Sequence, residues 1–269
     1  MLQAPHTHAA CRTTVLRVLP PGLNAQRYLN AMLAAIESDL GGRLPLGTSI
    51  VAADDRAGSG IATCYPFGNR TAVWCDPELT HSLARLVGST ALSAHEFTTR
   101  AVDMGAALRG IGLNRVLDGP LVNPRVDVGP LTIRTLDRHV DADVALTADL
   151  RAAVSDADAE EADFDVDHLD PHIVAAVEST PTGRDRLLAF ASARLADSVP
   201  FDDIGIITHP AARQRGLGLA CVHRLIELRQ ASDTPAMYRC EADNTGSDRI
   251  AQRLGFALVQ TVGSVRFGA

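Results

Sequence analysis

The sequence predicts an α/β (α+β) protein, in which a mixed central β-sheet flanked by helices is preceded by a smaller α/β unit. Three observations carry this. Apolar runs of strand length alternate with segments of helical period along the chain. A tract dense in breakers, Leu117-Asp118-Gly119-Pro120 through Asn123-Pro124 to Gly129-Pro130, interrupts that alternation near residue 125. The 269 residues, 46% hydrophobic and 21% charged, can fill one large core or two modest ones.

Residues 1–125 form the expected N-terminal unit. A helix over 26–39 carries apolar residues at helical spacing and stops at Gly41-Gly42. Short strands follow at Thr48–Ala53, Ile61–Tyr65 and Thr71–Cys75, the first two separated by the turn-rich 54–60 segment. Asp76-Pro77-Glu78 reads as a helix start with Pro in the first turn, opening a helix over about 78–87. A further helix is expected over 92–109. Trp74, the single tryptophan, reads as a core residue.

Residues 126–269 start afresh. A strand at Leu131–Arg134 leads to a helix over 141–155 and an acid-rich segment running to Asp170. Strands at Pro171–Val177 and Leu187–Leu195 flank the polar turn Ser179–Gly183, and Ile204–Thr208 is the next strand. The helix after it places Leu217, Cys221, Leu225 and Leu228 on one face. A strand at Ala236–Glu241, a helix over 246–254 and a strand at Ala257–Val262 close the chain.

Composition excludes several functions. A net charge of −7 argues against a general nucleic-acid surface. All 25 basic residues are Arg, so lysine Schiff-base chemistry is ruled out. The five cysteines, Cys11, Cys64, Cys75, Cys221 and Cys240, show no metal-ligand spacing and no disulfide framework, so no metal is expected. Neither an N-terminal signal segment nor an 18-residue apolar run is seen, so the reading is a soluble cytoplasmic protein with no membrane partner. Homodimerisation stays open.

The informative segment runs from Ile204 to Ala220. A strand enters a tight turn, Arg213-Gln214-Arg215-Gly216-Leu217-Gly218, and a helix starts at once. Unpaired N–H groups at the positive end of that helix form a receptor for phosphate or pyrophosphate. Gly216 and Gly218 allow close approach of an anion, and Arg213 and Arg215 add charge. A P-loop would need Gly-Lys-Ser/Thr, and the chain has no lysine. A dinucleotide fingerprint would need a third glycine where Cys221 stands.

The pattern Pro-x-x-Arg-x-x-Gly-x-Gly after a strand, here Pro210 to Gly218, resembles motif A of the GNAT superfamily of N-acetyltransferases. Asn244-Thr245-Gly246-Ser247 and the closing Leu254-Gly255-Phe256 resemble its second signature, in the correct order. The resemblance is clear over 185–269, plausible from 131 and not evident before 125. It implies an acetyltransferase that uses acetyl-CoA as acyl donor and an amine of a small molecule or protein as acceptor.

By resemblance, the backbone of Ile206, Ile207 and Thr208 pairs with the pantetheine amides. Arg213 to Leu219, through Gln214, Arg215, Gly216, Leu217 and Gly218, hold the pyrophosphate. Asn244 and Ser247 lie near the thiol end. Asp202, Asp203 and Glu241 are candidate bases, because attack by an amine needs its proton removed, and Asp203 leads because superfamily members often carry a carboxylate on this strand. Many superfamily members supply the thiolate's proton from a Tyr four residues before the closing Gly; here that position is Ala251, which leaves Tyr238 and Ser247 as substitutes. This departure keeps a second function open, a catalytically inactive acyl-CoA-binding regulatory module. His209 reads as a capping or surface residue. Acids of the 137–170 segment, among them Asp156, Asp158, Glu160, Glu161, Asp163, Asp165 and Asp167, form either a solvated face or an acceptor entrance that attracts a cationic amine. The N-terminal unit reads as a degenerate second copy, a partner-binding extension or an acceptor-site lid.

Overall fold

The computed structural model describes residues 22–164, 173–180, 184–196, 198–230 and 234–268. Cys11, Asp165, Asp167, Asp170, Pro171 and the 181–183 part of the expected turn lie outside them.

The chain opens with α1 (Leu23–Leu40), which buries Tyr28, Met32 and Ile36 at four-residue spacing. Strands β1 (Gly47–Ala52), β2 (Ile61–Phe67) and β3 (Arg70–Cys75) follow. The expected helix over 78–87 is instead a series of short turns, with α2 (Thr80–Leu83) between two 3-10 segments. A tertiary pairing overrides the local pattern there: the Thr48 N–H donates to the Gly88 carbonyl at 2.8 Å, drawing the chain onto the sheet.

Helix α3 (Ala94–Asp103) starts at a capping box, in which Ser93 Oγ accepts from the Glu96 N–H and the Glu96 carboxylate accepts from the Ser93 N–H. It ends six residues before the expected residue 109. The chain turns at Gly105 and forms β4 (Ala107–Leu117), a strand the sequence reading missed. With Gly110, Gly112, Asn114 and Arg115 inside it, β4 has no clean apolar alternation.

The second half contains β5 (Thr132–Leu136), α4 (Asp141–Ala153), α5 (Asp156–Glu161), β6 (Ile173–Glu178), β7 (Arg186–Leu195) and β8 (Asp202–Thr208). It ends with α6 (Leu217–Arg229), β9 (Ala236–Glu241), α7 (Thr245–Leu254) and β10 (Phe256–Arg266).

Ten strands form one mixed sheet in the order β1-β3-β2-β10-β4-β9-β8-β7-β6-β5. The β1–β3 and β8–β9 pairs are parallel. Strand β4 lies between β9 and β10, and β10 between β2 and β4, so each half lends a strand to the other. A part-buried ion pair, Arg115 Nε to Asp248 Oδ1 at 2.7 Å, ties β4 to α7 as well. On one face α6 packs Leu217, Leu219, Cys221 and Leu225 against β6–β9. On the other, α4 and α5 cover the sheet with Leu146, Leu150 and Ala159. Trp74 is buried in the N-terminal half and donates to Asp39 Oδ2 at 2.8 Å. No helix among the described residues is long and apolar enough to cross a membrane.

Candidate active site

Strands β8 and β9 pair only at Asp202↔Ala236, Asp203↔Met237 and Ile204↔Tyr238. Beyond that point they part, while β8 stays bonded to β7 through Thr208. A cavity of about 720 Å³ opens in the gap, walled by β8, β9, α5 and the starts of α6 and α7.

Strand alternation identifies which backbone groups face the gap. The Asp202 N–H donates towards β9, to Pro235 O, and the His209 N–H donates towards β7, to Leu188 O. Ile206 and Thr208 therefore present their amides to the opening. Ile207, expected to share that role, lines the cavity too, but its backbone N–H faces β7 and its side chain is buried against the α4 cluster. Ala242 donates to Ile111 of β4, so Arg239 and Glu241 have their N–H groups on the gap side of β9.

Helix α6 starts at the open end. Gly216 takes a left-handed conformation (φ 77°), and the first intrahelical bond runs from the Ala220 N–H to Gly216 O. The amides ahead of Ala220 have no partner within the helix and collect at its positive end. A Cβ on Gly218 would meet Ile206, Thr208 and Ile250 at 3.2–3.3 Å, so its absence lets α6 seat tightly against β8 and α7. Gln214, Gly216, Leu217, Gly218 and Leu219 line the cavity, as do Arg213, Asn244 and Ser247; Arg215 is exposed and is not part of its lining. His209 Nδ1 accepts from the Ala211 N–H at 3.2 Å, which is the capping role expected of it.

Two acids of α5 reach into this site. Asp158 pairs with Arg213 at 2.9 Å, and Arg213 also donates to Thr208 O. Ser155 and Arg213 together hold the Asp158 carboxyl below the usual carboxylate range. Glu161 Oε1 accepts from Asn244 Nδ2 at 2.8 Å and from the Glu241 N–H at 3.3 Å, covering the open edge of β9. Asn244 meanwhile caps α7 by accepting from the Ser247 N–H at 3.0 Å.

Three candidate catalytic residues sit differently. Asp203 is buried and bound to the Arg239 guanidinium, whose Nε lies 2.9 Å from Oδ2. Its charge is thereby committed to an ion pair. Tyr238 is buried at the vertex of the split, and its hydroxyl lies 2.8 Å from Ser247 Oγ. Burial, opposed by the Ser247 hydrogen bond, pushes its phenol well above the ordinary range, so it stays protonated at neutral pH. Glu241 is half-buried and, like Asp203, is not part of the cavity lining; burial first, then Glu161 and Asp243, raise its carboxyl pKa, and Arg109 opposes them. Ala251 is fully buried. Sequence reasoning missed Arg239, Arg109 and Gly110; glycines within a strand were the one available signal, since they mark close approach of other atoms.

Residues 144–256 match the model of the Acetyltransferase (GNAT) family. Similar solved structures include a GNAT-family protein from Novosphingobium aromaticivorans, 20% identical, covering 61% of this chain and 69% of that one with a TM-score of 0.44. An acetyltransferase of the GNAT family from Colwellia psychrerythraea is 13% identical over 81% of this chain and 80% of its own, with a TM-score of 0.43. A GCN5-related N-acetyltransferase from Sphaerobacter thermophilus is 16% identical over 71% and 66%, with a TM-score of 0.46. No curated protein matches the sequence. Residues 22–117 lie outside the matched region.

Proposed function

We propose that the protein transfers an acetyl group from acetyl-CoA to a primary amine of a small molecule or protein, by direct attack in a ternary complex. The observation that carries this reading is the split of β8 from β9 with the N-terminus of α6 at its mouth. The split exposes strand amides that can pair with an extended amide-bearing arm, and the helix start receives a pyrophosphate. The residues lining the cavity fit such a donor in both respects.

Acetyl-CoA supplies the thioester. Glu241, a better proton acceptor than an ordinary glutamate because burial raises its pKa, takes one proton from the acceptor's ammonium nitrogen. The freed nitrogen forms the new C–N bond as the C–S bond breaks. The leaving thiolate takes the nitrogen's second proton, passed along the Tyr238 and Ser247 hydroxyls, and Glu241 returns its proton to solvent. Because the Tyr238 phenol is a weaker acid than usual, it acts as hydrogen-bond donor and relay and is restored at the end of each turnover. Asp203 orients Arg239 on the acceptor side. Direct attack is supported by the described cysteines: burial pushes the Cys75 and Cys240 thiols up to about 11, and those of Cys64 and Cys221 to about 12, so a cysteine thiolate is a poor acyl carrier here.

We place the division between the two units near residue 125, with 126–269 as the acyltransferase unit sharing its sheet with the first. A cytoplasmic setting is supported by free thiols at Cys64, Cys75, Cys221 and Cys240. Ala251 favours one second reading, an acyl-CoA-binding regulatory module without turnover. Thiol release from acetyl-CoA in the presence of primary amines and lysine peptides separates the two. Turnover above hydrolysis with any acceptor, reduced about tenfold in Tyr238→Phe, supports the enzyme. Tight CoA binding with no turnover supports the module, and absence of CoA binding removes both.

A further inference from the structure

We infer that Arg109 and Gly110 of strand β4, in the N-terminal half, seat the Glu241 carboxylate and balance its charge, so that the acceptor side of the site is completed by residues outside the GNAT-matched segment. The inference rests on the reading of Glu241 as the proton acceptor.

Three observations lead to it. First, β4 lies against β9 with Gly112 opposite Glu241, and strand alternation puts Gly110 on the same face. Second, a Cβ at Gly110 would lie 2.1 Å from Glu241 Oε2 and 2.6 Å from its Cδ. A side chain at position 110 would displace the Glu241 carboxylate from this place, and Gly110 is not among the positive-φ glycines, so what glycine provides here is room for the carboxylate. Third, the β4–β10 register passes from Gly110↔Ser264 to Leu108↔Val265 and leaves Arg109 without a partner on β10. A bulge takes a side chain out of the regular alternation. The Arg109 guanidinium lies 3.8 Å from Glu160 of α5, beside the Glu241 carboxylate.

The groups facing Glu241 are then Arg109 from β4, Glu161 from α5 and Asp243 from the turn after β9. Glu160 lies beyond Arg109, and Arg239, two residues back on β9, is held by Asp203. Two carboxylates act against ionisation of Glu241, and Arg109 acts for it. The proton step is unchanged: one proton passes from the acceptor's ammonium nitrogen to a Glu241 oxygen and on to solvent. What β4 contributes is the place where that oxygen waits and the pH at which it is free to accept.

The test is a ¹³C NMR titration of the Glu241 carboxyl, identified by its loss in Glu241→Gln, in the full chain and in two variants. Gly110→Ala should push the carboxylate off its seat towards solvent and lower its pKa towards the ordinary glutamate range. Arg109→Gln removes the favourable charge and should raise it. The midpoint of the acid limb of kcat/KM, measured with acetyl-CoA and an amine that the protein acetylates, should move in the same two opposite directions, with the acetyl-CoA KM unaltered. A Glu241 titration unmoved by both variants, or moved in the same direction by both, would overturn the inference. Arg109→Gln leaves the backbone bulge intact and keeps the test decisive if Gly110→Ala does not fold. If no amine is acetylated, the enzymatic reading fails while the titration still decides the seat.

Discussion

The sheet contains two parallel strand pairs that end differently. Strands β1 and β3 stay in register over six positions, from Gly47↔Arg70 to Ala52↔Cys75. Strands β8 and β9 pair over three and then part. In the first pair the connection runs through antiparallel β2, which pairs with β3, and Val51, Ala72, Val73 and Cys75 are buried around a closed seam. In the second the connection is a helix that begins at the carboxyl end of β8, with α7 beginning at the same end of β9. Ligands in open α/β sheets bind outside the carboxyl ends of strands, where helix starts collect. The β8–β9 pair thus opens where its crossover helix holds the two ends apart, whereas β1 and β3, connected through β2, stay paired to their ends.

Four substitutions probe that contrast. The largest effect is expected from Glu241→Gln at the open pair: kcat should fall by about 10²–10³ with CoA affinity by calorimetry unchanged, and the acid limb of the pH profile should vanish. Stability should respond in the opposite sense. Since folding raises the Glu241 pKa, ionising this carboxyl weakens the fold as pH rises through the folded value. The melting temperature of Glu241→Gln relative to wild type should therefore improve from acid to alkaline pH; an unchanging difference would remove the buried, repelled carboxylate from the account.

Gly218→Glu places a side chain and a negative charge where α6 meets β8 and α7. It should weaken CoA binding by about a hundredfold, roughly 3 kcal/mol, with helix content by circular dichroism retained. Normal CoA affinity in this variant would mean that the split pair is not the donor site. Val73→Ala in the closed pair should cost about 2 kcal/mol in denaturant unfolding and leave CoA affinity untouched. Loss of CoA binding there would break the distinction between the pairs. The smallest change is Asp158→Asn, which releases Arg213 from its exposed ion pair. CoA affinity should rise by about threefold at low salt and less at high salt, since such a pair is worth under ~1 kcal/mol.

Much of the donor side was legible in the sequence. The strand, turn and helix from Ile204 to Arg229 appear where the pattern put them, because anion reception at a helix start is built from contiguous residues. Even there the backbone direction of single residues was hidden: Ile207 turns to β7, and Arg215 leaves the lining. The acceptor side was far less legible. Asp203 resembled a base by its strand position, yet its ion pair with Arg239 arises across two strands. The acids of α5 were noticed as charge, and their grip on Arg213 and Asn244 follows from folding α5 over the gap.

Strand β4 marks the dividing line most clearly. Its residues carry neither a helical nor an alternating signature, and a helix was expected over its first three positions. Placed between β9 and β10, it is buried by partners from the far end of the chain, and its glycines leave room for a carboxylate that arrives from β9. Local spacing wrote the loop proposed to hold the pyrophosphate, since every donor in it comes from one run of backbone. The seat of Glu241 was settled by strand order, because its parts lie in separate segments that come together when the sheet assembles.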